Sequence, residues 1–257
     1  MDTRTLFEGK AMIVGTEPFD LGKFPDVRVL GCNMTGIEHL PWAEINKRGI
    51  KVISLQGETK FLETITSTAE HTIGLMIALM RNYKDAFCPT IYTRNDLQGH
   101  KLRGKTLGII GYGRVGKQVK RMAEGLGMKV LTLDEEDSQD DLCDLLKKSD
   151  VISIHIPLFC NRGFFTKEMF NMMKPTAYLI NTSRSVVVEK GALTDALKNN
   201  IISGAAVDFI EDFALVEYAR THDNLILTPH IGGNTFEDRK ATENFIKSKV
   251  KHFLNND

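Results

Sequence analysis

The sequence predicts an α/β protein in which a parallel sheet is covered by helices on both faces. Short, almost continuously apolar runs alternate with segments of helical periodicity along most of the 257 residues. Strands of that kind belong to sheets buried on both faces, and the helices between them supply the crossover connections. One run also leads directly into a glycine-rich turn and a helix. Together these observations indicate a doubly wound architecture.

Nine apolar runs mark the predicted strands. In chain order they are AMIVG, VRVLG, KVISL, TLGIIG, KVLTLD, VISIHI, AYLIN, AAVDF and LILTP. Between them, apolar residues recur at helical spacing, first at Val115, Val119, Met122, Ala123 and Leu126, and then at Leu142, Leu145 and Leu146. A period near 3.6 residues gathers such side chains on the face of a helix that packs on the sheet.

The composition excludes several classes of protein. Lys plus Arg and Asp plus Glu number 33 each, so no net charge attracts nucleic acid or an anionic membrane. The longest apolar run, 73–80, is too short to span a bilayer. The N-terminal sequence MDTRTLFEGK lacks the pattern of a signal peptide. The length allows one large domain or two small ones.

The cysteines indicate a reducing compartment. Cys32, Cys88, Cys143 and Cys160 have neither metal-ligand nor CxxC spacing. Reduced thiols are the simplest interpretation, and they favour a cytoplasmic protein. We therefore expect no structural metal, no membrane contact and no nucleic-acid partner.

The stretch LGIIGYGRVGKQV, 107–119, has the spacing of a dinucleotide-binding turn. A buried strand is predicted to end at Gly111, and a helix to begin near Val115 and end at the glycines of GLGMK. Gly111 then permits the tight turn, Gly113 lets the backbone approach a pyrophosphate, and Gly116 allows close packing of helix on strand. The unpaired N–H groups of the helix N-terminus favour the anion. The alternative is a purely structural turn.

An acid ends the next predicted strand. KVLTLD ends in Asp134, where a carboxylate accepts hydrogen bonds from the adenosine ribose and repels a 2′-phosphate. This favours NAD over NADP. The acidic run DEED that begins at Asp134 is equally typical of a solvated loop, so that interpretation stays open.

Three later stretches end predicted strands on the same edge of the sheet: NTSRSVVVEKGAL, GAAVDFIEDF and NLILTPHIGG. Ligands of open α/β sheets bind outside the carboxyl ends of the strands. Arg184 and His230 are therefore expected to face one crevice. Taken singly, Arg184 also fits a surface ion pair and His230 a turn histidine; their joint position beside the cofactor edge favours the functional interpretation.

With these motifs in order, the sequence resembles the D-isomer-specific 2-hydroxyacid dehydrogenases, the family of D-3-phosphoglycerate and D-lactate dehydrogenases. The resemblance runs from about Ala11 to the C-terminus. It rests on STAEHTIGLMIALMRN, LRGKTLGIIGYGRVGKQV, VISIHIPL, MMKPTAYLINTSR, GAAVD and TPHIGG. GETKFLETITSTAEHT is most similar to members of phosphoglycerate-type or surface-sugar metabolism.

The resemblance implies two domains. A Rossmann-type NAD-binding domain, 69–234, would interrupt a truncated flavodoxin-like substrate domain formed by 1–68 and 235–257. GCNMTGIEHL is similar to the family loop whose backbone amides hold the substrate carboxylate, which points to Met34, Thr35 and Gly36. An ordinary strand-to-helix turn is the alternative, since the loop departs from the glycine-rich family form.

The resemblance also implies a cofactor site and a mechanism. A hydride would pass between substrate C2 and nicotinamide C4, with His230 moving the hydroxyl proton and Arg184 binding the substrate carboxylate. Asp208 would contact the nicotinamide amide. The remaining residues implied to bind NAD are Tyr112, Arg114, Val115, His155, Pro157, Thr182 and Gly232.

Three departures from the family pattern stand out. The acid that supports the histidine is replaced by Phe213, so Glu211, preferred for its reach, or Asp212 would have to serve; a solvated acid is the alternative. PLFCNRGFF is shortened and lacks a threonine near the pyrophosphate. The chain opens at what resembles the family's third strand.

The last departure implies a substrate-domain sheet of three strands with an exposed edge and part of its apolar face uncovered. Either a partner chain covers this surface, or the chain is a compact or degenerate form of the family. The first alternative, together with the apolar stretch HTIGLMIALM, predicts a homodimer. The competing interpretation of the whole chain is a non-enzymatic NAD-binding regulator, similar to the corepressor branch of the family. The Arg184 and His230 pair favours the enzyme, whereas the missing acid and strands favour the regulator.

Overall fold

The computed structural model describes residues 6–7, 9–15, 19–87, 95, 97–158 and 161–256. The chain divides into two compact units. Unit 1 combines Met1–Ile65 with Asn234–Asp257, and unit 2 is Thr66–Gly233. The assignment of these units to substrate and cofactor binding stays a prediction.

The nine predicted strands are all present, and a short strand precedes them. In chain order the strands are β1 (Leu6–Phe7), β2 (Ala11–Val14), β3 (Val29–Cys32), β4 (Lys51–Ser54), β5 (Thr106–Ile110), β6 (Lys129–Leu133), β7 (Val151–Ile154), β8 (Tyr178–Asn181), β9 (Gly204–Val207) and β10 (Leu225–Leu227).

Helices connect these strands. In chain order they are α1 (Trp42–Arg48), α2 (Thr59–Leu62), α3 (Ser67–Met80), α4 (Tyr83–Ala86), α5 (Arg114–Gly125), α6 (Gln139–Lys148), α7 (Lys167–Met172), α8 (Ala192–Lys198), α9 (Phe213–Ala219) and α10 (Phe236–Asn256). None of the helices in the described ranges is long and apolar enough to cross a membrane.

Unit 2 contains a six-stranded sheet in the order β10-β9-β8-β7-β5-β6, with every pair parallel. Neighbouring residues of one strand enter different cores: Leu179 packs against the helices of one face and Ile180 against those of the other. Period-two burial on both sides is what a doubly wound sheet requires. The predicted fold class is confirmed.

The strand order reverses between β5 and β7. After β5 the chain moves outward to β6, and then returns to pair β7 with the opposite side of β5. Loops that leave the carboxyl ends of β5 and β7 therefore diverge, which opens a crevice at this edge.

Unit 1 contains a four-stranded sheet in the order β1-β2-β3-β4. The three predicted strands pair in parallel, and β1 pairs antiparallel with β2 through Leu6 with Met12 and Phe7 with Ala11. The expected three-stranded sheet is therefore wrong, because a strand too short to show a pattern occupies the edge that was predicted to be open.

Both faces of the unit 1 sheet are covered. Every residue of β2 and β3 is buried, Met12 and Leu30 in a core with Ile45, and Ile13 in a core with α10. Gly31 permits the close approach of α10, because a Cβ there would lie 2.7 Å from Ile246 Cγ2. The expected exposed apolar face is therefore also wrong: α10 covers it.

The apolar helix α3, from which we expected a dimer surface, is largely buried within unit 2. It packs against α5, β8, β9 and β10, and its buried residues include Leu75, Met76 and Leu79. Its apolar character is thus explained within the chain.

Candidate functional site

The glycines of the turn between β5 and α5 are explained by different structural requirements. Gly111 has a φ of 93°, and a Cβ there would lie 2.7 Å from the carbonyl carbon of His155. A Cβ on Gly116 would lie 2.3 Å from the carbonyl oxygen of Gly111. Both positions therefore require glycine for the packing of the protein itself.

Gly113 is different, because the space where its Cβ would lie is open, with no atom within 4 Å. It is the N-cap of α5 and supplies no side chain to cap the helix. The helix α5 begins here and runs for twelve residues, so the N–H groups of its first turn lie next to Gly113. A helix N-terminus whose N-cap residue has no side chain, beside the open space at Gly113, fits a pyrophosphate.

Tyr112 lies in the same turn and places positive charge beside it. Lys117 Nζ lies 5.7 Å and Lys120 Nζ 5.3 Å from the centroid of its ring. Both contacts are within the range of cation–π interactions. Tyr112 thus holds two cations near the proposed pyrophosphate site.

Asp134 directly follows β6 and is exposed. Its amide donates to Asp137 Oδ2 at 2.7 Å, and the Asp137 amide donates to its carbonyl at 3.1 Å. These two bonds fix the turn, whereas the Asp134 carboxylate has no hydrogen-bond partner within the described part of the chain. The carboxylate is therefore available to a ribose.

His155, Pro157 and Thr182 follow β7 and β8 at the same sheet edge. The His155 amide donates to Ile110 O at 2.7 Å, and its Nε2 lies 2.8 Å from Ser153 Oγ. Burial lowers the pKa of His155 to about 4, so the ring is neutral at pH 7. Pro157 is exposed, and Thr182 Oγ1 is 2.9 Å from Thr72 Oγ1.

Arg184 lies in a turn held by Asn181, a buried polar residue at the end of β8. Asn181 Oδ1 accepts from Ser183 N at 2.9 Å, and its Nδ2 donates to Arg184 O at 3.1 Å. Arg184 Nη1 donates to Ser183 O at 3.0 Å. This is the one hydrogen bond of the guanidinium among the described residues, so its other donors are free to bind a carboxylate.

Asp208 follows β9, and both of its carboxylate oxygens are bonded to the loop after β10. Oδ1 accepts from Thr228 Oγ1 at 2.6 Å and from Ile231 N at 2.8 Å, and Oδ2 accepts from Gly232 N at 2.7 Å. Burial alone raises the pKa of Asp208. Hydrogen bonds from His71 and these three donors outweigh burial and lower the pKa to about 2.

His230 is exposed in that loop and has a φ of 56°, in the left-handed region. Its amide donates to Thr228 O at 3.0 Å. The imidazole makes no hydrogen bond or ion pair with any residue in the described ranges, so both ring nitrogens can reach a substrate. No bond joins the side chains of Arg184 and His230 there.

Among the residues that the structure describes, no acid forms a hydrogen bond or ion pair with the His230 side chain. Asp212, one of the two candidates, accepts from Ala214 N at 3.0 Å and Leu215 N at 3.4 Å as the N-cap of α9. Glu211 is exposed and makes no hydrogen bond or ion pair within the described residues. Phe213 begins α9 and is 74% exposed. The role of Glu211 therefore stays a prediction, and Asp212 already has a structural one.

Met34, Thr35 and Gly36 lie in unit 1, after the end of β3. Met34 O accepts from Leu55 N at 3.2 Å, and its side chain packs against the core around Met12. Thr35 is exposed and Gly36 is half-buried. Their proposed binding of a carboxylate is a separate prediction.

The structure also bears on two further predictions, the reduced cysteines and the shortened PLFCNRGFF loop. Cys32 is buried and Cys143 half-buried, both as free thiols, whereas Cys88 and Cys160 lie outside the described residues. The shortened PLFCNRGFF loop is described except for 159–160. Among the described residues, no group of three or more His, Cys, Asp or Glu side chains is arranged to hold a metal.

Sequence reasoning missed two residues that shape the site, His71 and Asn181. His71 belongs to a stretch used for the family resemblance and for the dimer prediction, and a histidine within an apolar helix was the available signal. Asn181, a buried amide at a strand end, is recognisable because Asn in such a place holds turns through its own side chain.

The parallel sheet, the open glycine turn on a helix N-terminus and the free acid after the next strand define a dinucleotide-binding α/β protein. Residues 73–232 match the family model described as D-isomer specific 2-hydroxyacid dehydrogenase, NAD binding domain. The chain belongs to the D-isomer-specific 2-hydroxyacid dehydrogenase family. The predicted family, cofactor and class of enzyme are confirmed.

Relatives agree with this assignment. A glyoxylate reductase from Thermofilum pendens is 35% identical over 237 residues, 84% of this chain and 68% of that protein. A D-3-phosphoglycerate dehydrogenase from Haemophilus influenzae is 35% identical over 252 residues, 90% of this chain and 60% of that protein. The chain thus spans about two thirds of the length of these relatives.

A solved structure agrees as well. The crystal structure of D-lactate dehydrogenase from Aquifex aeolicus, complexed with NAD and lactic acid, has a TM-score of 0.75 and 28% sequence identity. The superposition covers 96% of this chain and 84% of that one.

Proposed function

We propose that the protein catalyses reversible hydride transfer between NAD and a small D-2-hydroxyacid or 2-oxoacid. One observation carries the proposal: the glycine turn, Arg184 and His230 follow β5, β8 and β10, parallel strands of one sheet. Parallel strands present their carboxyl ends at a common edge, so the three features belong to one side of unit 2.

The cofactor site proposed for this chain is built mainly from backbone. The amides at the start of α5 hold the pyrophosphate in the open space at Gly113, and Asp134 binds the ribose. Tyr112, Arg114, Val115, His155, Pro157, Thr182, Asp208 and Gly232 complete the site. NAD supplies the hydride chemistry, and the protein orients it.

Arg184 and His230 are proposed to act on the substrate. Arg184 has free donors in a planar fork, which matches a carboxylate in a bidentate arrangement. His230 removes the hydroxyl proton when the hydroxyacid is oxidised and returns it when the oxoacid is reduced, which typically contributes roughly 10²–10⁴-fold to the rate. Glu211 is proposed to support His230.

The relatives suggest the range of substrates. One is named for glyoxylate and another for 3-phosphoglycerate. Both substrates carry a carboxylate beside the reacting carbon, so we propose the same class for this chain. Met34, Thr35 and Gly36 of unit 1 are proposed to bind that carboxylate with their amides.

The test is NADH oxidation with a panel of 2-oxoacids that includes phosphorylated members. We expect turnover of at least one, loss of more than about 100-fold in His230→Asn, and a large loss in Arg184→Lys. Arg220→Lys is the matched control, because the exposed Arg220 at the end of α9 pairs with Glu217 at 3.0 Å and with no other acid among the described residues. Activity that survives His230→Asn would contradict the mechanism.

One observation favours a second function, an NAD-binding regulator: among the described residues His230 has no acid partner, and Phe213 occupies the family's acid position. A protein that binds NADH tightly yet reduces none of the oxoacids would favour this alternative over the enzyme.

Assembly and location are further proposals. We propose a homodimer, supported by the exposed ring of Phe87 after α4. Light scattering at micromolar concentration should give twice the mass of the chain, and a monomer would contradict it. The free thiols Cys32 and Cys143 support a cytoplasmic protein, which cell fractionation can test.

A further inference from the structure

His71 reaches the proposed catalytic loop from the helix α3. Its Nε2 lies 3.1 Å from Thr228 Oγ1 and 3.5 Å from Asp208 Oδ1. The His71 side chain is 19% exposed and that of Asp208 is 2% exposed. The three residues are far apart in sequence, so only the folded unit 2 brings them together.

Only one assignment of donors and acceptors fits the hydrogen bonds among His71, Thr228 and Asp208. Thr228 has one hydroxyl proton, and it donates that proton to Asp208 Oδ1 at 2.6 Å. Thr228 Oγ1 can therefore only accept from His71, so His71 Nε2 carries a proton. The result is a chain of donors from His71 through Thr228 to Asp208.

This series of hydrogen bonds ends on the backbone on both sides of His230. Asp208 accepts from the amides of Ile231 and Gly232, the two residues after His230, and the carbonyl of Thr228 accepts from the amide of His230. His230 needs this support, because a φ of 56° costs about 1 kcal/mol or more in a residue with a Cβ. Bonds on both sides hold it in that conformation.

We propose that His71 is a positioning residue that sets the conformation of the His230 loop through Thr228 and Asp208. The role assigned to His230 as the acid–base group is that of the proposed function, on which this inference rests. His71 itself need not touch the substrate. Its loss leaves Thr228 without a donor and loosens the carboxylate that holds the loop.

Amide hydrogen exchange tests the structural part without any activity. In His71→Ala we expect the amides of His230, Ile231 and Gly232 to exchange about tenfold faster, because loss of the part-buried hydrogen bond of His71 releases the loop. His222→Ala is the matched control, since its ring stacks on Tyr218 in the same unit. Native protection of these three amides in His71→Ala would overturn the proposal.

Kinetics test the functional part. We expect His71→Ala to lower kcat for 2-oxoacid reduction about tenfold, because His230 is then held less firmly in its working position. His71→Gln should recover part of kcat, because its amide can donate to Thr228 Oγ1. If His71→Ala does not fold, Thr228→Val removes the same link at nearly the same volume.

The two proposals fail in different ways. A His71→Ala protein with native kcat, or a Gln variant no better than Ala, would overturn the positioning role while His230→Asn still abolishes activity. An inactive native protein, or an active His230→Asn, would refute the proposed function, and hydrogen exchange would then decide whether His71 holds the loop.

Discussion

Replacing Asp208 with asparagine should destabilise unit 2 in a way that depends on pH. Asp208 is buried and accepts hydrogen bonds from Thr228 Oγ1 and from the amides of Ile231 and Gly232. Its pKa in the folded protein is about 2, against an ordinary value of 3.8. That difference corresponds to about 2 kcal/mol of unfolding free energy, all of it present at pH 7.

The direction of the pKa change determines how the stability contributed by Asp208 depends on pH. The pKa of Asp208 is lower in the folded state, so its stabilisation is complete above about pH 4 and is lost as the pH falls towards 2. Asparagine has no charge to lose. The gap in unfolding free energy between native protein and Asp208→Asn should therefore be at least about 2 kcal/mol at pH 7 and about 1 kcal/mol smaller at pH 3.

Urea unfolding at several pH values measures this gap. Trp42 is the single tryptophan in the sequence and lies in unit 1, so its fluorescence follows that unit, whereas circular dichroism follows both. The variant should shift the transition seen by circular dichroism. Asp134→Asn is the matched control, because its carboxylate is exposed and unpaired within the described residues. A gap that stays constant from pH 7 to pH 3 would refute the reasoning.

The remaining predictions concern the glycine turn, the ribose acid and a helix cap. Gly116→Ala should lower the unfolding free energy by about 1–3 kcal/mol, because its Cβ meets a backbone oxygen, whereas Gly113→Ala should leave stability unchanged and weaken NADH binding in fluorescence titration. Equal effects of the two variants on NADH binding and stability would contradict this. Asp134→Ala should narrow the preference for NADH over NADPH. Equal affinities of the native protein for NADH and NADPH would refute the role assigned to Asp134. Asp212→Ala should cost about 1 kcal/mol in urea unfolding, since α9 loses its cap; an unchanged midpoint would count against it.

The sequence predicted the sheet of unit 2 because its inner strands β5, β7, β8 and β9 are buried on both faces. A run such as VISI, 151–154, has no polar residue that must reach water, so its pattern is visible without the structure. β1 could not be predicted in the same way. It is a two-residue edge strand, and pairing with β2 rather than its own composition defines it.

In the candidate site, too, the local features could be predicted from the sequence and the tertiary contacts could not. Gly111, Gly113 and Gly116 were recognisable because the turn is local and each glycine has a backbone reason. The link between His71, Asp208 and Thr228 was not, since it joins three distant polar residues through tertiary contacts. Asp212 was considered as a substitute for the catalytic acid, although an Asp directly before a helix is commonly an N-cap. The cap was not recognised because the helix α9 is too short to show a helical pattern in the sequence.

The position of α10 over Gly31 has a consequence for the order of events during synthesis. The strands β2 and β3 leave the ribosome before unit 2, but Ile246 and Val250, which cover one of their faces, leave it after unit 2. All of unit 2 is translated in between, and it contains every strand of its own sheet. We therefore expect unit 2 to fold while the N-terminal strands wait with an apolar face open, which makes that nascent segment a natural client for chaperones.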